Sequence, residues 1–299
     1  MIGLELLMNV YISSIDGNKQ LLDGGAMFGN APKALWSKWC PPDRQGRIQL
    51  NCRSMLIELG AKRVLCELGV GDFLSPDLRD RYGIEPGGNK VLDSLEKRGL
   101  AATDIDYIII SHLHFDHIGG LLNSFEEYTS VGRQLLFPNA KIVVGERAFE
   151  RAKRPHYRDR ASFIQGLPEL LEESDRLVIV KGDAAREPSL PREISFMYSD
   201  GHTPGQMLTI VKGENSEIIF LGDLIPGKPW LHLPISMGYD RFPELIVDEK
   251  ISLYEKFENT TWFGFFTHDS QCSGAKISKN ARGRYVADAD IIEFDRFRL

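Results

Sequence analysis

Four apolar runs of strand length in this chain each lead into a side chain able to hold a metal ion. Tyr107 to Ile110 leads into His112, Ile194 to Tyr198 into His202, Ile218 to Leu221 into Asp223, and Trp262 to Phe266 into His268. Continuous apolar runs are what strands covered on both faces look like, because neither face meets water. If these strands share a sheet edge, their terminal loops converge on one spot. Ligands in open sheet proteins sit outside strand ends for this reason.

The segments between these runs add hairpin and helix signals. Arg53 to Glu58 and Lys62 to Glu67, joined around Gly60, read as a hairpin, and Met1 to Ile12 reads as a first strand. Asn89 to Arg98 places Val91, Leu92 and Leu95 on one helical face and stops at Gly99. Further helices are expected at Gly145 to Lys153, Ala161 to Glu173 and Pro243 to Phe257. The pattern is α+β, and with no repeat, low-complexity tract or Pro/Ser-rich linker the expectation is one domain over residues 1–299.

Charge and composition narrow the function classes. With 42% hydrophobic and 26% charged residues the chain is globular rather than disordered. Thirty-six Lys and Arg against forty-two Asp and Glu give a net charge of -6, a field that repels polyanions, so no nucleic-acid partner is expected. No apolar run approaches the roughly 20 residues that cross a bilayer. The start lacks a basic lead and a small-residue cleavage site, so no membrane partner is expected and the expected location is cytoplasmic. Cys40, Cys52, Cys66 and Cys272 form no C-x-x-C pair and read as buried or incidental thiols.

The densest chemical signal is Ser111-His112-Leu113-His114-Phe115-Asp116-His117-Ile118-Gly119-Gly120. In an extended segment the side-chain period of 2 sends His112, His114 and Asp116 to one side, and a turn near His117 and Gly119 swings His117 toward the same space. Imidazole and carboxylate suit borderline cations such as Zn²⁺, at about 2.0 to 2.2 Å. Five of the seven histidines lie here or at the later strand ends. The groups divide into His112, His114 and His202 for one cation, Asp116, His117 and His268 for a second, and Asp223 as a bridge. Two such cations about 3.5 to 4 Å apart can share a hydroxide.

These residues resemble the metallo-β-lactamase superfamily, whose H-x-H-x-D-H hallmark is intact. Its later signatures follow in order as Gly201-His202-Thr203-Pro204-Gly205, Gly222-Asp223 and Thr267-His268-Asp269. The resemblance implies a four-layer αβ/βα sandwich of two mixed β-sheets flanked by helices, with a dinuclear metal site at one edge of the sheets. Within the superfamily the chain is similar to the N-acyl-homoserine lactone lactonases and their methyl parathion hydrolase relatives. The marks are Gly24 to Gly29, Pro32-Lys33, Trp36, Leu231-His232-Leu233-Pro234 and Gly238-Tyr239-Asp240. Aromatic and apolar groups in these loops suit a pocket for an apolar moiety, which nominates Phe28, Trp36, His232 and Tyr239 as substrate-binding residues.

The chain departs from the pattern at three places. Glu67-Leu68-Gly69 stands where many members read Asp-Thr-Gly, Gln206 where lactonases often carry a second histidine, and Pro226 where many carry a tyrosine. The expected activity is hydrolysis of an ester-type bond, above all a lactone such as an N-acyl-homoserine lactone, by a hydroxide held between two divalent cations. Zinc is the expected metal, with Fe, Mn or Co accepted by the same donors. Asp116 is the expected proton carrier. Phosphotriesterase, glyoxalase II-type thioesterase and a non-catalytic regulator or scaffold are the alternatives. The expected partner is a small molecule with an apolar portion, and apolar loops such as 27–39 also suit a homodimer interface.

Overall fold

The computed structural model of the protein describes residues 9–299. Two sheets form its centre. One has seven strands in the spatial order Phe297–Arg298, Val10–Ile15, Ser54–Leu59, Lys62–Cys66, Tyr107–Ile110, Lys141–Gly145 and Leu177–Val180. The other has six, in the order Tyr285–Ile291, Gly274–Lys279, Trp262–Phe265, Glu217–Phe220, Gln206–Lys212 and Ile194–Ser199. A small antiparallel pair, Gln20–Asp23 with Arg47–Leu50, stands apart from both.

Alternation along the strands explains the layering. In the run Tyr107–Ile110, Ile109 faces the other sheet, where it joins Val143, Phe196, Phe220 and Phe265 in one buried cluster. Its neighbours Ile108 and Ile110 face outward onto Val91 and Leu95 of helix Lys90–Lys97 and Phe149 of helix Glu146–Lys153. Likewise Ile218 and Phe220 point between the sheets. Ile219 and Leu221 pack under Ile246, Leu253 and Phe257 of helix Pro243–Phe257. Helix, sheet, sheet and helix are therefore stacked around three apolar layers, the four-layer α+β sandwich that the resemblance implies. Burying a Phe or Leu in such a layer stabilises by roughly 1.5 to 3 kcal/mol.

The four apolar runs do not share one sheet edge. Tyr107–Ile110 lies in the seven-stranded sheet and the other three in the six-stranded sheet. Their loops still converge, because the sheets stack face to face and parallel pairing makes neighbouring strands end together. Lys62–Cys66 runs parallel to Tyr107–Ile110, so Glu67 emerges beside Ser111. Glu217–Phe220 runs parallel to Trp262–Phe265, and Gln206 pairs with Ser199 at the same end.

Some element bounds differ from those read in the sequence. The expected helix from Ala161 is a 3₁₀ turn, Arg160–Ser162, followed by a helix over Leu167–Glu173 only. Gly166 at φ 78° breaks the backbone, and Pro168 sits in the new first turn. The first strand is Val10–Ile15, and residues 1–8 of the expected strand lie outside the described residues. All four cysteines are free, and Cys52, Cys66 and Cys272 are buried. No helix among the described residues is long and apolar enough to cross a membrane.

Candidate metal centre

The 112–117 segment reaches the centre by a helical turn rather than as an extended strand. His114 precedes the short helix Phe115–Ile118, which carries Asp116 and His117 round to the same space as His112. Gly119 and Gly120 make that turn possible. A Cβ on Gly120 would stand 2.0 Å from the Leu68 carbonyl oxygen, and one on Gly119 2.1 Å from that of Val70. The loop thus lies directly on residues 68–70, and the Leu68 amide donates to the His117 carbonyl at 2.8 Å.

His112, His114, His202 and Asp223 offer donor atoms within 4.8 Å of one another, as do His117, Asp223 and His268. Asp116 borders the second group, with carboxylate oxygens 3.7 Å from His117 Nε2 and 3.5 Å from His268 Nε2. Asp223 lies between the groups, one oxygen 3.2 Å from His202 Nε2 and the other 3.3 Å from His268 Nε2. All seven side chains belong to residues no more than 8% exposed.

Four of the five rings are oriented from behind. His117 Nδ1 lies 2.7 Å from Glu67 Oε2, His202 Nδ1 2.9 Å from Asp240 Oδ1, and His268 Nδ1 2.6 Å from the Asn51 carbonyl oxygen. Those acceptors hold the proton on Nδ1 and turn the Nε2 lone pair inward. His112 Nδ1 meets the Ser111 hydroxyl at 2.9 Å, and that hydroxyl donates to Glu67. His114 is turned the other way, with Nδ1 inward, 3.0 Å from His112 Nε2 and 3.2 Å from His202 Nε2. Its Nε2 is buried without a partner. Nitrogens so close repel unless a proton or a cation sits among them, and Asp223 Oδ1, 3.3 Å from His268 Nε2, faces the same space. The donor set fits divalent cations.

The electrostatics agree. Burial first, then the neighbouring imidazoles, push His112 and His114 well below the usual histidine range, leaving their lone pairs free. At His117 burial opposes charge, but the carboxylates of Glu67, Asp223 and Asp116 outweigh it and raise the ring well above that range. At Asp223 burial is outweighed by His117, His268 and His202, which hold its carboxyl well below the usual carboxylate range. A place that draws a proton this strongly draws a cation in its stead.

The three departures from the family pattern are structurally accommodated. Glu67, at φ 63° and fully buried, reaches both His117 and Ser111 through its longer side chain. Gln206 Oε1 accepts the Asp223 backbone N–H at 3.0 Å, and the Pro226 carbonyl accepts that of His268 at 2.9 Å. Sequence reasoning missed Gln20, whose amide donates to Asp116 Oδ2 at 2.6 Å, and the anchoring role of Asp240. The separation of 96 positions between Gln20 and Asp116 leaves no local signal of that bond.

A cavity of about 450 Å³ opens over the centre, walled by Leu22, Met27, Tyr82, Phe115 and Tyr239. Of the four nominated substrate residues only Tyr239 lines it. Phe28 and Trp36 are core residues instead: Phe28 is fully buried, its ring stacked 5.6 Å from Trp36 and 4.5 Å from Trp230. The apolar layer under Trp230 was the larger gain in burial for them. His232 stacks on Trp39 at 5.5 Å and lines two neighbouring cavities, one of which also borders His268.

The sequence profile of the metallo-beta-lactamase superfamily matches residues 49–256, well over half of the chain, and the protein belongs to that superfamily. Among curated proteins it is similar to an N-acyl homoserine lactonase of Bacillus thuringiensis, 28% identical over 184 residues, 60% of this chain and 62% of that protein. The chain spans less than two thirds of the length of the lactonases it matches. Its fold is shared with a probable metal-dependent hydrolase of Staphylococcus aureus, with a TM-score of 0.84, 24% identity and 96% and 98% of the two chains covered. It is shared also with AidC, a dizinc quorum-quenching lactonase in complex with its product, with a TM-score of 0.70, 19% identity and 96% and 97% covered.

Proposed function

We propose that this superfamily hydrolase uses two divalent cations to open a carboxylic ester-type bond, most concretely a lactone such as an N-acyl homoserine lactone. The observation that carries the reading is the inward convergence of five ring nitrogens and the Asp223 carboxylate, each imidazole but His114 anchored from behind. His112, His114 and His202 would hold one cation, Asp116, His117 and His268 a second, with Asp223 within reach of both groups. Zinc suits these donors, as do Fe, Mn and Co. Cations bound there supply Lewis acidity, which lowers the pKa of water toward about 7 and polarises a carbonyl.

The chain's own groups do the rest. Gln20 holds one Asp116 oxygen, leaving the other to take the proton of the attacking water and pass it to the departing alkoxide. One C–O bond forms and one breaks, and a hydroxy acid leaves. Tyr239 stands over the centre as a hydroxyl donor to the leaving oxygen. Burial, then Asp23 and Asp116, push it above the usual tyrosine range, so it keeps its proton at neutral pH. Leu22, Met27 and Phe115 wall the cavity for an apolar substituent.

A cytosolic quorum-quenching role, without nucleic-acid or membrane partners and as a monomer or homodimer, completes the reading; four free thiols and the net charge of -6 support it. The test is hydrolysis of acyl-homoserine lactones of several chain lengths, S-lactoylglutathione and an aryl phosphotriester, with bound metal quantified. Lactones turned over fastest support the proposal. Preference for the thioester or phosphotriester replaces the substrate class, and much less than one ion per chain favours a non-catalytic regulator or scaffold.

A further inference from the structure

The mouth of the cavity over the metal centre is cationic in a chain that is anionic overall. Arg81, the last residue of helix Pro76–Arg81, and Arg158, in the loop after helix Glu146–Lys153, line the same cavity as His114, Asp116 and Asp223. Three arginines nearby in sequence are neutralised by carboxylates, while Arg160 lies over the Tyr157 ring at 4.7 Å. Arg79 pairs with Asp72, Arg151 with Asp159 at 2.5 Å, and Arg154 with Glu150 at 3.0 Å. Arg81 and Arg158 have no carboxylate partner among the described residues.

Both are nevertheless held in place. Arg158 Nη2 donates to the Gly238 carbonyl at 2.9 Å, tying it to the loop that carries Tyr239. The Arg81 guanidinium lies 5.8 Å from the centroid of the Tyr82 ring, and Tyr82 stacks on Phe115 at 4.9 Å, next in sequence to His114. A column of side chains thus runs from the mouth to the centre, with unspent positive charge at its outer end. Guanidinium presents a planar fork of N–H donors that matches carboxylate and phosphate oxygens.

We propose that the preferred substrate carries an oxyanion, a carboxylate or a phosphate, on the part of the molecule remote from the scissile carbonyl, bound by Arg81 and Arg158. The inference rests on the ester-hydrolase reading and departs from the neutral acyl-homoserine lactone named there, giving the preferred ester or lactone an anionic remote end. The reacting carbonyl lies at the centre, the apolar spacer lies along Tyr82 and Phe115, and the charged end meets the two arginines.

The test uses the metal-loaded full chain and aryl esters of matched length whose acyl chain ends in a methyl, a carboxylate or a phosphate. The expected result is kcat/KM at least about ten-fold higher for the anionic esters, expressed in KM, as charge-assisted hydrogen bonds of this strength give. In Arg81→Met, Arg158→Met and the double variant, the anionic-to-methyl ratio falls toward one, and 0.5 M salt erodes it in the wild type. A carboxylate-only or phosphate-only preference identifies which oxyanion is meant. Equal rates for all three esters, or a fall shared equally by all three in the variants, overturns the proposal. Absence of turnover on every ester rejects the hydrolase reading instead. Calorimetric binding of the corresponding non-hydrolysable amides then decides the arginine question, because a carboxylate held only by the metals is insensitive to the arginine substitutions.

Discussion

The histidine cluster and the aromatic stack beneath Trp230 are both buried, yet burial acts on them in opposite ways. Phe28, Trp36 and Trp230 gain by burial itself, and Trp230 Nε1 donates to the Met27 carbonyl at 2.9 Å. The histidines and aspartates lose by burial, and most of their polar atoms are aimed at one another or at a backing partner. Mutation therefore costs activity at one place and folding at the other.

The widest separation is expected from Asp223→Ala, which removes the carboxylate common to both groups of donors. Turnover of a good substrate should fall more than about a thousand-fold and metal content should drop, while circular dichroism remains that of a folded chain. Phe28→Ala is the mirror image. Unfolding in urea should register a loss of about 3 to 5 kcal/mol, with kcat/KM per folded molecule unchanged. A rate loss at undiminished stability would return Phe28 to the substrate wall and erase the contrast.

Glu67→Gln probes the support behind the ligands. Competition with a chromophoric chelator should show metal binding weakened by about 10 to 100-fold, because the anion that fixes the His117 ring is lost. Lys250 tests whether the apolar side tolerates a charge. Its amine, buried in the layer below Trp230, reaches only the carbonyls of Ile235 at 2.6 Å and His232 at 3.5 Å. Burial, opposed in part by Asp240, pushes it down to about 7 from an ordinary 10.5. Between these values the unfolded chain holds a proton that the folded chain lacks, so stability rises with pH across that window and this contribution is lost as pH falls toward 7. Relative to Lys250→Met, wild-type stability should climb by up to about 1.4 kcal/mol per pH unit from pH 7.5 to 9.5, measured by denaturant titration.

The same contrast explains what could be read without coordinates. His112, His114, Asp116 and His117 are legible because so many buried ligand types in six residues have few alternatives to a shared cation. The runs ending at His202, Asp223 and His268 are legible because two-sided burial leaves a long apolar trace. Phe28 and Trp36 mislead because an aromatic ring suits a pocket wall and a core equally well, and only the neighbourhood of Trp230 decides. Gln20, Asp240 and Arg158 are illegible for another reason: each bonds across the fold to a partner that no local pattern names. The division of the apolar runs between two sheets was likewise a matter of pairing, which periodicity does not encode.

The donors that converge on Asp223 come from both sheets, with His112 and His117 following one and His202 and His268 the other. A cation gripped by both would act as a rivet through a seam otherwise closed by oily side chains. Stripping it with a chelator should therefore loosen the halves and lower the melting temperature of the entire chain, so that heat tolerance itself becomes a gauge of metal supply.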